Sequence, residues 1–114
     1  MSKVFGMHVI ALKPGVKAED FEKFVTEVVN SLTPLPGMKE YFVKGDRGDR
    51  EGKYLFVTEF ESVETRDRYF PSPGEISDEV NQVLGSAEWV AAAKKWDEFA
   101  TPMSVIYTDY VVVD

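Results

Sequence analysis

One imidazole is available for proton transfer near neutral pH, that of His8, the only histidine in the chain. Its chemistry would be general base catalysis, which needs a cavity around the ring and a polar group to orient it. Asp109 and Tyr107, near the C-terminal end, are candidates for that second group if the last strand lies beside the first. Each residue also has a plainer reading. His8 fits equally a core histidine with a satisfied hydrogen bond, and Asp109 fits a surface charge at a strand end. Other chemistries fall on residue supply. There is no cysteine, so thiol nucleophiles, disulfides and zinc–thiolate sites are excluded. With no second histidine to support a haem or a zinc ion, no cofactor and no metal is expected. Glu40 and Glu59 with Asp109 would be the acidic set for a hard cation, but strand alternation puts Glu59 on the face opposite Asp109. Trp89 and Trp96, on one helical stripe, read as core packing rather than as a cofactor box.

The segment KGDRGDREGKY (44–54) attracts attention for its charges, its glycines and its Arg-Gly-Asp triplet. It lies between two runs rich in Tyr, Phe and Val, so it reads as the tip of a β-hairpin whose glycines supply positive φ. A phosphate cradle would lead into a helix, and this stretch leads into a strand.

The elements that must position these residues follow from periodicity. Residues 4–13 (VFGMHVIALK) are an apolar run closed by Pro14-Gly15 and read as a strand. Phe21, Phe24, Val25, Val28, Val29 and Leu32 recur at three and four, predicting a helix over 17–32. TPLPG (33–37) ends it. Strands are expected over 38–47 and 53–61, then a short helix capped by Ser62, and a helical stretch through Ile76, Val80, Val83 and Leu84. A last helix opens at Ser86, and residues 103–114 read as the final strand. The order strand, helix, strand, strand, helical region, strand is that of an α+β, ferredoxin-like split βαβ domain: a four-stranded antiparallel sheet with helices on one face. The whole chain, 1–114, is read as one such domain.

Helices on one face leave the other uncovered, and both faces are apolar. Phe5, Met7 and Val9 alternate with His8, Ile10 and Leu12, and Leu55 and Val57 alternate with Tyr54 and Phe56. The simplest cover is a second copy of the same face, so a homodimer is expected. The formal net charge of −7 argues against nucleic acid and against anionic membrane surfaces as partners. No long apolar run marks a signal peptide or a membrane span, and a cytoplasmic location is the default.

Several stretches resemble the stress-responsive A/B barrel domains of the dimeric α+β barrel superfamily. They are HVIALK (8–13), PGMK (36–39), FESVET (60–65) followed by Tyr69, and TDY (108–110). In the polyketide cyclases of that family a pocket lies between sheet and helices. A histidine on the first strand points into it, a tyrosine holds a substrate carbonyl, and a histidine six residues later is the general base. The resemblance therefore implies pocket roles for His8 and Tyr69. The family's two further histidine positions hold Ser72 and Glu75 around a matching Pro73, which leaves Glu75 or His8 to act as base. Without that role, Tyr69 is an aromatic closing the short helix onto the core, and Glu75 an acidic residue in the first turn of the next helix. The resemblance also assigns the faces. Ile10, Leu12, Tyr41, Val43, Tyr54, Phe56, Thr58, Tyr107 and Asp109 would turn to the helices with His8, and the first helix would add Phe24, Val25 and Val28.

The function expected from these residues is binding of a small apolar or aromatic molecule. It extends to cofactor-free cyclisation, isomerisation or lyase chemistry on a carbonyl compound. A non-catalytic stress-associated ligand-binding or dimerisation module is the alternative, and a cofactor-free monooxygenase of the same superfamily is a third. A solid sheet–helix layer filled by Tyr41, Tyr54, Phe56 and Tyr107 would favour the second, and an open cavity the first.

Overall fold

Residues 2–101 and 106–114 are described by the computed structural model. Strands β1 (Val4–Ile10), β2 (Met38–Lys44), β3 (Tyr54–Phe60) and β4 (Tyr107–Val111) form one antiparallel sheet in the spatial order β2-β3-β1-β4. Helix α1 (Ala18–Glu27) connects β1 to β2, and α2 (Val63–Tyr69), α3 (Asp78–Leu84) and α4 (Ala87–Trp96) lie between β3 and β4. This is the ferredoxin-like arrangement that the element order implies. The hairpin tip falls where expected: the Gly45 N–H donates to the Lys53 carbonyl (2.8 Å), and Gly52 takes a φ of 79°. Three serines start the later helices. Ser62, Ser77 and Ser86 each accept a backbone N–H, from Thr65, Val80 and Trp89 respectively.

Two boundaries differ from the periodic reading. α1 stops at Glu27, and residues Val29–Ser31 form a single 3-10 turn after the C-cap Val28, whose N–H still donates to the Phe24 carbonyl while its φ stretches to −114°. Two adjacent β-branched residues restrict χ1 there and weaken the helix just before the Thr33–Gly37 break. The last strand begins at Tyr107, and most of its predicted first third lies outside the described residues.

The inward rows pack into two separate clusters. At one end, Ile10, Tyr54 and Phe56 meet Phe21, Phe24 and Val25 of α1, Trp96 of α4, and Ala100. At the other, Val4 and Phe60 meet Tyr69 of α2 and Val80 of α3. The register corrects one expectation on β2. Tyr41 pairs with Val57 and Val43 with Leu55, so both lie on the outer face, 42% and 40% exposed. Met38 and Phe42 take the inward positions and pack on the two clusters. Apolar residues occupy both alternations of MKEYFVK, so the pattern alone does not choose a face, and the hairpin register does. Phe5, Met7, Val9, Leu55, Val57 and Tyr110 share the outer face with them.

Candidate functional site

Between the two clusters the sheet–helix layer is not filled. A cavity of about 470 Å³ opens there, within the range that holds a drug-sized molecule. Its floor is two registered rows. One runs Glu40, Thr58, Gly6, Asp109 across all four strands, and the next contributes Phe56, His8 and Tyr107. Trp89 of α4, Val83 and Leu84 of α3, and the segment from Phe70 to Ile76 enclose it from the helix side. Gly6 is part of the reason for the space. A Cβ built on it would stand 2.9 Å from Asp109 Oδ1, so a larger residue would meet the neighbouring carboxylate. Each strand carries apolar residues at its inward ends and a polar residue or glycine in the middle. The unfilled centre follows from that, because polar side chains seal an interior less readily than apolar ones.

His8 projects into this space with its ring between two others. Its centroid lies 5.3 Å from Tyr107, near-parallel at 21°, and 5.8 Å from Phe56. Asp109 lines the same cavity but is engaged from above: Arg66 Nη1 of α2 donates to its Oδ2 at 2.8 Å. It stands across from Gly6, while Tyr107 is the residue across from His8. The carboxylate proposed to orient the imidazole thus serves a strand-to-helix ion pair. Arg66 Nε also donates to Asp67 (2.8 Å), and the two carboxylates, Asp67 more than Asp109, hold the guanidinium pKa above its usual value against the opposing effect of burial.

Tyr69 is not a cavity residue. It is fully buried beside Val4, Phe60 and Val80, and its hydroxyl donates to the Pro36 carbonyl at 2.7 Å. This is the plainer of its two readings, with the added role of tying α2 to the turn before β2. Tyr69→Phe should lower the unfolding free energy by about 0.5–1.5 kcal/mol, because it removes a part-buried hydrogen bond whose acceptor can turn to water. Ligand affinity should be unchanged, and denaturant titration beside a binding assay would show both. Glu75 lines the mouth from an exposed turn, its N–H donating to the Ser72 carbonyl at 2.9 Å. α3 starts only at Asp78, so Glu75 does not sit in that helix's first turn.

Most of the apolar residues assigned to the pocket fill the first cluster instead. Ile10, Phe24 and Tyr54 are buried in it, and Leu12 and Val28 pack on its edge. Tyr54 is further fixed by donating its hydroxyl to Glu22, and burial followed by that carboxylate pushes its pKa up to about 12. Phe56 and Tyr107 do line the cavity, as do His8, Asp109 and Glu75. Tyr41 borders only a smaller cavity of about 290 Å³ at the β2 edge.

Glu40 is the residue that sequence reasoning weighed only as a metal ligand. Its carboxyl faces the cavity, makes no hydrogen bond or ion pair among the described residues, and has its pKa raised by burial. The sequence signal for it was incomplete: Glu40, Thr58 and Asp109 are polar residues on three different strands, but Glu40 takes an inward position only through the register of β2 with β3. Trp89, read as core packing, lines both cavities, whereas Trp96 is core, its Nε1–H donating to the Thr101 carbonyl at 2.8 Å. Among the described residues no group of three or more His, Cys, Asp or Glu is placed to hold a metal ion. None of their helices is long and apolar enough to cross a membrane.

No protein-family model matches the sequence, and no curated protein matches it either. Solved structures match the fold. An uncharacterised NIPSNAP-like domain protein from Burkholderia xenovorans superposes with a TM-score of 0.60 at 15% identity, over 98% of this chain and 84% of that one. SnoaB, a cofactor-independent oxygenase from Streptomyces nogalater, gives 0.54 at 9% identity, over 100% and 94%. A dimeric protein of unknown function and ferredoxin-like fold from Bacteroides fragilis gives 0.53 at 16%, over 95% and 94%. At these identities the likeness is one of fold, and it is the fold that the resemblance to A/B barrels implies.

Proposed function

We propose that this chain is a small-molecule-binding protein that takes an apolar or aromatic ligand in the cavity between sheet and helices and works as a two-fold dimer. The observation that carries the reading is the open cavity of about 470 Å³, floored by a polar row and an aromatic row in register. Any chemistry done there is cofactor-free proton transfer, with His8 as the group inside the cavity. Binding comes first and catalysis second, because the tyrosine expected to polarise a carbonyl is locked in the core and Glu75 stands on an exposed turn. The dimer reading rests on the outer face, where Tyr41, Val43 and Tyr110 are exposed beside Phe5, Met7 and Val9. The description of the Bacteroides neighbour as dimeric agrees with it.

Two-dimensional NMR titration with compounds of one or two rings is the test. Ligands should shift the amide signals of Gly6, His8 and Thr58 and leave those of the hairpin tip unmoved. His8→Ala should weaken binding by about threefold to tenfold, the usual worth of a stacked ring. A library spanning neutral, cationic and anionic ring compounds that moves none of these signals would remove the reading.

A further inference from the structure

The charges around the cavity narrow what it can hold. Arg66 is the only arginine or lysine among the described residues lining it, and two carboxylates already engage it: Asp67 on Nε and Asp109 on Nη1, both at 2.8 Å. An anionic ligand would have to displace one of them. The remaining charged groups are carboxylates, Glu75 at the exposed mouth and Glu40 on the floor. The chain as a whole carries −7, a field that draws cations in and turns anions away. Glu40 lies at the opposite end of the polar row from Asp109, about 14 Å away by three strand spacings. Unlike Asp109 it has no cation beside it, and Phe56 and Trp89 border both cavities with it. A partly desolvated carboxylate in a cavity also bordered by aromatic rings can receive an ammonium group through a charge-assisted hydrogen bond, with the rings available for cation–π contact.

We propose that the cavity selects a protonated amine carried on an aromatic skeleton, its ammonium on Glu40 and its rings laid along Phe56, His8 and Tyr107. This rests on the reading of the cavity as a ligand site and adds the ligand's charge and orientation. The Cα atoms of Glu40 and His8 stand about 12 Å apart by strand spacing and rise, so one or two fused rings with a short amine arm span the gap. The raised pKa of Glu40 fixes a sign as well. The ammonium favours the ionised carboxylate, so binding releases a proton from any protonated Glu40. Affinity is full above that pKa and falls as the pH drops through it. Across the cavity, His8, Tyr107 and the Arg66–Asp109 pair face Glu40, with Asp67 and Glu75 at the rim, so the Glu40→Gln variant is needed to assign the pH effect.

The test uses the whole chain and three probes on one skeleton: a naphthyl-ethylamine, the matching naphthyl-ethanol and the matching naphthyl-acetate, titrated by calorimetry near neutral pH and at low salt. The amine is expected to bind about tenfold or more tighter than the alcohol, and the acetate weakest, in keeping with a hydrogen bond to a charged group. Glu40→Gln should abolish the amine's advantage and leave the alcohol within about twofold. An alcohol or acetate that binds as tightly as the amine overturns the proposal while the cavity stands as a ligand site. So does an amine preference that survives in Glu40→Gln. If none of the three binds, this proposal falls, and the NMR titration with the wider library decides whether the ligand-site reading falls with it.

Discussion

Phe21→Ala should lower the unfolding free energy by about 3–5 kcal/mol, the cost of removing a fully enclosed aromatic ring and leaving a cavity. Phe21 is 0% exposed and touches rings from every layer around it. Its centroid lies 5.1 Å from Tyr54, 5.5 Å from Trp96, 6.3 Å from Phe99 and 6.4 Å from Phe42. One side chain of α1 thus joins β2, β3, α4 and the segment after it. For a domain whose whole stability is about 5–15 kcal/mol, the loss is a large share. Urea titration would read it as a lower midpoint at an unchanged slope. A loss below about 1 kcal/mol would mean that the neighbouring rings close the space, and the cluster would then be far softer than its geometry implies.

Val9→Asp should convert the proposed dimer to a monomer. Val9 lies on the outer face of the central strand β1, across from Leu55 and between the two strands that flank it. In a face-to-face pair related by two-fold symmetry it meets the same region of its partner, so one substitution brings two carboxylates into an apolar contact. The dissociation constant should rise by at least about 100-fold. Light scattering at low micromolar concentration would report it, with circular dichroism to verify that the monomer keeps its fold. A wild-type chain that is already monomeric there would remove the dimer altogether.

How much of this was legible beforehand differs between fold and site. The order of elements and the sheet's connectivity follow from breaks and periods, because Gly, Pro and capping serines act locally. Alternation groups His8 with Ile10 and Tyr54 with Phe56, and the resemblance to A/B barrels, not the alternation, implies that this face turns to the helices. β2 resisted because Met38 and Phe42 compete with Tyr41 and Val43, and only pairing with β3 decides between them. The site was less legible. Whether Tyr69 aims its hydroxyl at a ligand or at the Pro36 carbonyl depends on how α2 docks, which no local pattern encodes. Asp109 was read as a neighbour of His8, but the contact that matters comes from Arg66, in a helix far away in sequence. Glu40 needed all four strands in register before its place in a polar row could be seen.

The two tryptophans, seven residues apart on α4, have different surroundings: Trp89 at the wall of both cavities and Trp96 sealed among Phe21, Phe24 and Phe42. The chain therefore carries two built-in optical labels. If the cavity takes the proposed ligand, one indole would sense occupancy and the other the integrity of the core, so with either replaced by phenylalanine the emission spectrum would report loading or melting separately, without a dye attached.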